Sequence, residues 1–168
     1  TFSVAEAREP EACATCHMGF DHPQWEMWST SKHGAIWQIE GQGTTRAPTC
    51  QTCHMDEGDH AVMTSWGFLA VRLPEDDAEW LADRVTILQG LGVLDDKGDP
   101  TGRLEVVKAG KVARLTKEDF QGPRDKMQAI CSRCHSPSYA KDQLDQSDQL
   151  IKAADKLMSE AIRIVQAL

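Results

Sequence analysis

Three stretches of this chain carry one five-residue pattern: Cys13-Ala14-Thr15-Cys16-His17, Cys50-Gln51-Thr52-Cys53-His54 and Cys131-Ser132-Arg133-Cys134-His135. Two thiols three residues apart with an imidazole directly after them are what covalent attachment of c-type haem requires. The thiols add across the two vinyl groups of one porphyrin, and the histidine comes under the iron as an axial ligand. All six cysteines are used in this way. The expected cofactors are therefore three covalently attached haem c. Cys13, Cys16, Cys50, Cys53, Cys131 and Cys134 would form the thioethers, and His17, His54 and His135 would bind the irons from one side. A zinc ribbon needs two cysteine pairs per metal, which leaves the third pair unmatched and the three histidines unexplained. A thioredoxin-like pair needs a βαβ setting that the sequence lacks.

Three histidines remain: His22, His33 and His60. Three irons, each with one free axial position, meet three unassigned imidazoles. Iron held by two imidazoles is low-spin, closed to substrate and suited to passing electrons. The competing role for each histidine is an exposed loop residue or a hydrogen-bonded core residue. His22 follows His17 by five residues, at most about 18 Å of extended chain. That segment would have to pass round the porphyrin edge, so His22 is expected to cap another haem. The same holds for His60, six residues after His54. His33 can cap the first haem, another one, or a haem in a neighbouring subunit. A methionine ligand would raise the potential, but Met18 and Met55 directly follow motif histidines and point away from the far side of the iron. Met18, Met27, Met55, Met63, Met127 and Met158 are read as core or haem-edge packing. Trp25, Trp28, Trp37, Trp66 and Trp80 are expected to stack on porphyrins or fill the core.

The elements that must position these groups are mostly helical. Residues 1–66 show little periodicity and read as loops and short helices wrapped round porphyrins. Pro74 and a run of acidic residues open a helix over 75–91, with Ala78, Leu81, Val85 and Leu88 as its buried stripe. Residues 95–102 form a solvated turn, because their acidic spacing does not match a calcium loop. A helix follows near Arg103–Ala113. Thr116 and Asp119 form a capping box for the next helix. Gly122 and Pro123 are expected to interrupt it, with a restart at Arg124. The strongest helix is Asp142–Leu168, where Leu144, Ile151, Ala154, Leu157, Met158, Ala161, Ile162, Val165 and Leu168 make an apolar face. That face either packs on the haem core or pairs with a helix of another subunit. The fold class is mainly α: a small multihaem cytochrome c fold, with haems packed by short helices and loops and a long C-terminal helix.

With 168 residues, the chain reads as a single trihaem domain over 1–168. Phe, Trp and Tyr make up only 6%, as expected if porphyrins fill much of the interior. The apoprotein should then fold poorly, since cofactor binding and folding are coupled. The formal net charge is −8, which argues against nucleic-acid or anionic-membrane binding and permits steering towards basic redox partners. No apolar run is long enough to span a bilayer. Covalent haem attachment takes place outside the cytoplasm, so the chain reads as an exported protein whose signal peptide has been removed, located in the periplasm or outside the cell.

The runs Asp21-His22-Pro23-Gln24, Trp28-Ser29-Thr30-Ser31-Lys32-His33-Gly34, Cys53-His54-Met55, Gly58-Asp59-His60 and Trp66-Gly67-Phe68-Leu69-Ala70-Val71-Arg72-Leu73-Pro74 resemble the octahaem hydroxylamine oxidoreductase family. The Cys131 motif and the long helix after it fit the same pattern. The resemblance covers nearly the whole chain and corresponds to the C-terminal three-haem part of that family. It implies a helical fold and distal haem ligation by His33 and His60, and also by His22. The family's catalytic haem, with its open site and tyrosine cross-link, belongs to the part this chain does not match, and nothing marks Tyr139 as that tyrosine. The resemblance therefore implies the electron-conducting half.

These readings converge on a trihaem electron carrier with three bis-histidine low-spin haems. Its partners would be redox proteins or further copies of itself in a homo-oligomer or extracellular filament with haem contact between subunits. The alternatives are a nitrogen- or sulfur-compound oxidoreductase with one open haem, which requires that one of His22, His33 and His60 is not a ligand, and an electron-carrying subunit of a larger haem enzyme.

Overall fold

The structure, a computed structural model, describes residues 3–20, 22–41, 43–56, 58, 71–109, 113–114 and 116–168. Its fold is mainly α, as expected. It divides into two compact units, Thr1–Ala61 and Val62–Leu168.

Among the described residues, the first unit holds five short helices: α1 (Val4–Ala7), α2 (Glu11–Ala14), α3 (Gln24–Ser29), α4 (Lys32–Glu40) and α5 (Cys50–His54). Helices this short are not stable alone, because nucleation costs more than a turn or two returns. Side chains tie them together. The Trp28 indole donates to the Pro48 carbonyl at 3.2 Å, and the Trp37 indole donates to Glu11 at 3.3 Å. α4 starts at Ser31, whose hydroxyl accepts from the Gly34 N–H at 3.2 Å, a standard N-cap. A β-carbon at Gly34 would lie 2.3 Å from the Trp28 carbonyl oxygen, so the α3–α4 crossing requires glycine there.

The second unit contains α6 (Ala78–Gly90), α7 (Gly102–Ala109), α8 (Lys117–Cys131) and α9 (Pro137–Gln166), with two-residue strands β1 (Val71–Arg72) and β2 (Ala113–Arg114). The strands pair in parallel, Val71 with Ala113 and Arg72 with Arg114. α6 begins later than the acidic run implied, because Asp77 rather than Pro74 is its cap and accepts from the Trp80 N–H at 3.0 Å. Its buried side is Trp80, Asp83, Arg84, Ile87 and Leu88, a face rotated from the expected stripe. α7 stops at Ala109, and Ala113 is recruited into β2 instead of extending the helix.

α8 opens on the expected capping box of Thr116 and Asp119. It then runs through Pro123 without a break, against expectation. An interior proline costs about 3 kcal/mol, but the helix beyond it is anchored: Arg124, Met127 and Ile130 are buried. The Arg124 guanidinium pairs with Asp145 at 3.2 Å and with Asp148 at 3.1 Å. α9 starts at Pro137 rather than Asp142, with Ser136 as the cap accepting from Tyr139 N–H at 3.2 Å.

α6 packs along α9, and the buried contact between them is largely polar, with Ile162 against Gly90 at its end. The Trp80 indole donates to Asp155 at 2.7 Å, Arg84 pairs with Asp155 at 3.3 Å, and the Ser159 hydroxyl donates to Asp83 at 2.5 Å. A separate apolar cluster of Leu88, Val93, Leu94 and Leu104 holds the α6–α7 connection. The turn between Leu94 and Pro100 closes on the Asp95 carboxylate, which accepts from the backbone of Lys97 and Asp99.

Candidate haem-attachment sites

Each Cys-x-x-Cys-His run folds into a helical turn. In the first, α2 carries Cys13, and the Cys13 carbonyl accepts from Cys16 N–H at 3.1 Å and His17 N–H at 2.9 Å. In the third, at the end of α8, the Cys131 carbonyl accepts from Cys134 N–H at 3.2 Å and His135 N–H at 3.0 Å. The second run is α5 itself, where the Thr49 N–H donates to Thr52 Oγ1 at 3.2 Å. Helical spacing of three and four residues sets both thiols and the imidazole on one face. Cys16 and Cys134 are exposed, and the other four cysteines are half-buried.

The first two runs meet inside the first unit. Gln51, in the middle of the second run, donates to the Ala7 and Glu9 carbonyls, each at 2.8 Å. Cys13 of the first run neighbours Cys50 of the second. Burial, followed by the neighbouring Cys13, pushes the Cys50 thiol up to about 12. Burial also raises Cys131. The third run lies in the second unit.

The further histidines are placed differently from one another. After Gly19, at a φ of 113°, the chain folds back, and Trp25 N–H donates to the His17 carbonyl at 2.8 Å. This reversal puts exposed His22 beside the first run, its Nε2 2.9 Å from the Cys16 carbonyl. A carbonyl only accepts, so Nε2 holds the proton and Nδ1 the lone pair in this arrangement. His33 lies in the first turn of α4, half-buried beside buried Gly34. His60 is outside the described residues, as are Met63, Trp66 and the 66–70 part of the apolar run.

Sequence reasoning missed one neighbour of the third run. The Tyr139 ring lies 4.9 Å from the His135 ring at an interplanar angle of 34°. The signal was present: Ser136-Pro137 is a helix start, and a helix starting there sets residue 139 close to residue 135.

The packing of the first unit tests whether these residues fit porphyrins. Among its described residues the buried apolar side chains are Pro10 and Ala47. Phe20 is 104% exposed and Ile39 84%. A unit that small cannot be stabilised by two small side chains, and the missing apolar volume is what flat macrocycles attached at Cys13, Cys16, Cys50 and Cys53 would fill. The residues fit the group.

Comparison with known proteins agrees with this. A family model described as "Seven times multi-haem cytochrome CxxCH" matches residues 1–86 and 105–168. The chain belongs to this multihaem cytochrome family. Membership implies covalently bound c-type haem. A probable nitrite reductase–hydroxylamine oxidoreductase fusion protein of Kuenenia stuttgartiensis is 33% identical over 186 residues, taking in 99% of this chain. A chain of a reducing HAO-like protein complex from Kuenenia stuttgartiensis is similar in structure, with a TM-score of 0.70 and 28% identity over 99% of this cytochrome. A hypothetical multihaem protein shares the fold, with a TM-score of 0.61 and 24% identity over 98% of the chain. This cytochrome spans 20% of the fusion protein, 34% of the HAO-like chain and 42% of the third protein. Among the described residues no helix is long and apolar enough to cross a membrane.

Proposed function

We propose that this cytochrome carries electrons through three covalently attached haems, each held by two thioethers and two histidines. The observation that carries this reading is the shared turn of the three Cys-x-x-Cys-His runs, two of them in a unit whose described residues bury few apolar side chains. When bound, haem iron supplies one-electron chemistry by alternating between its ferric and ferrous states. The chain's own residues do the rest. His17, His54 and His135 would each bind one haem iron. His22, His33 and His60 would supply the second imidazole, which would keep small molecules off the metal and the potentials in the low range expected without a methionine ligand. Cys13 and Cys50 are neighbours, which supports a short path for electrons between the groups they would hold.

The fusion protein and the HAO-like complex support a role beside a larger redox enzyme, as a module or subunit that takes or delivers its electrons. Covalent attachment of haem supports a location in the periplasm or outside the cell. An assembly of several copies with haems in contact across the boundary would extend the same conduction.

One observation favours a second reading. Nε2 of His22 is engaged by the Cys16 carbonyl, and binding iron through that nitrogen means giving up the bond. If His22 keeps it and does not bind iron through Nδ1 instead, one iron stays open and the protein is an oxidoreductase acting on small nitrogen or sulfur compounds. Low-temperature electron paramagnetic resonance of the ferric protein, with haem counted by intact mass, separates the two. Three haems, all low-spin, are expected. One high-spin ferric signal in a fully loaded sample would overturn the closed-carrier reading in favour of the enzyme.

A further inference from the structure

Among the described residues two buried side-chain oxygens have no hydrogen-bond partner, Glu26 Oε2 and Gln51 Oε1. Buried polar atoms in a folded protein are nearly always paired, so each calls for a donor. Both belong to the surroundings of a haem-attachment run. Gln51 is inside the second run, and its amide nitrogen is spent on the Ala7 and Glu9 carbonyls. Glu26 is the sharper case, because a carboxylate oxygen costs more to bury unpaired than an amide oxygen does.

The Glu26 carboxylate is held against the turn that leaves the first run. Its Oε1 accepts from the Gly19 N–H at 3.1 Å, two residues after His17. The residue before it, Trp25, donates its N–H to the His17 carbonyl at 2.8 Å. The start of α3 is thus pinned to the backbone on both sides of Met18. Donors around it are committed elsewhere: the His17 backbone N–H to the Cys13 carbonyl, the Trp28 indole to the Pro48 carbonyl, and the Ser29 and Thr30 hydroxyls to the Glu26 carbonyl. A histidine that binds metal through one ring nitrogen carries its proton on the other, and that N–H takes a carboxylate, a backbone carbonyl or water as acceptor. A buried acceptor in need of a donor therefore lies beside the residue whose proton haem attachment would fix. We infer that Glu26 is a positioning residue for the first haem: Oε2 accepts from the His17 Nδ1–H, which sets the plane of the imidazole and makes it a stronger electron donor to iron. The inference rests on His17 being an axial ligand. A more basic ligand favours the ferric state, so Glu26 lowers the potential of that haem.

The test uses the haem-loaded protein. In the wild type, reduced to the diamagnetic ferrous state, a nuclear Overhauser contact is expected between the His17 Nδ1 proton and the Glu26 side chain. Glu26→Gln keeps the shape and removes the charge. It should raise one of the three reduction potentials by about tenfold in the ferric–ferrous equilibrium, about 59 mV for one electron, with helicity and spin state unchanged. Glu6→Gln removes the same charge from an exposed position in the same unit and should produce no such shift. An assigned His17 Nδ1 proton without the contact would overturn the inference, even if the Glu26 variant folds poorly. So would three unmoved potentials in Glu26→Gln, or equal shifts in the two variants, which charge alone would explain. Failure of the haem reading looks different: intact mass short of three haems, or a high-spin iron in the wild type, removes that reading and this inference together.

Discussion

His33 stands next to a glycine that nothing else can replace. A β-carbon at position 34 would come within 2.3 Å of the Trp28 carbonyl oxygen, and backbone cannot swing aside as a side chain does. Gly34→Ala should therefore push α4 off α3 at a cost of about 1–3 kcal/mol, the usual range for overpacking, and move His33 with it. The expected signature is a lower melting temperature with a partial high-spin signal. His33→Ala should show the high-spin signal in full, without the loss of stability; a spectrum that stays low-spin would mean that His33 ligates no iron. The Ser31-Lys32-His33-Gly34 run was legible as a pattern in the sequence, and the Ser31 cap follows from residue type alone. The reason for the glycine was not, because it depends on how two short helices cross. The place of His22 was hidden for a similar reason: chain length limits how far a residue can reach but says nothing of a reversal that brings it back to its own motif.

At the scale of elements, local signals were read well and tertiary ones poorly. The Thr116–Asp119 box announces the start of α8, and Thr116→Ala should cost about 1 kcal/mol, measured by denaturant melting with haem spectra as a control for fold. Pro123 looked like a stop because proline removes a helical hydrogen bond; the buried Arg124 pairs that outweigh it involve aspartates on α9 that periodicity cannot see. The apolar stripe of α9 was correctly found, yet most of it faces outward. Hydrophobicity identifies an amphipathic helix, but it does not say which side a neighbour will take when that neighbour presents Trp80, Asp83 and Arg84. The polar contact makes a sharp prediction. Asp155→Leu leaves the Arg84 charge buried with its carboxylate partner removed, which should cost about 3–5 kcal/mol. The paired change of Asp155→Leu with Arg84→Met should restore much of that loss in a thermal melt.

For the whole molecule, charge pairing sets limits on pH. The Lys152 ammonium, followed by the Trp80 N–H, holds Asp77 below the ordinary carboxylate range, and Lys141, aided by Arg124, does the same for Asp145. Their contribution is complete above the unfolded carboxylate value near 4 and is lost as pH falls through the lowered folded values. Lys141, Lys152 and Lys156 are raised by Asp145, Asp77 and Glu79 respectively, so their contribution is complete below the unfolded lysine value of about 10.4 and is lost as pH rises further. Helicity of the loaded protein should therefore be flat between these limits and fall first on the acid side, where helix-pairing carboxylates protonate. A loss beginning near neutrality would mean that other groups control the fold.

The scarcity of buried apolar side chains among the described residues of the first unit reaches beyond the molecule. With Phe20 and Ile39 in water and little more than Pro10 and Ala47 buried among the described residues of the unit, a newly made chain that has not met its cofactors would be loosely held there, the kind of segment that proteases cleave. Survival of the polypeptide is then tied to maturation. A cell short of iron would lose this cytochrome by degradation of the unloaded chain, without a change in its synthesis, so that its abundance follows haem supply.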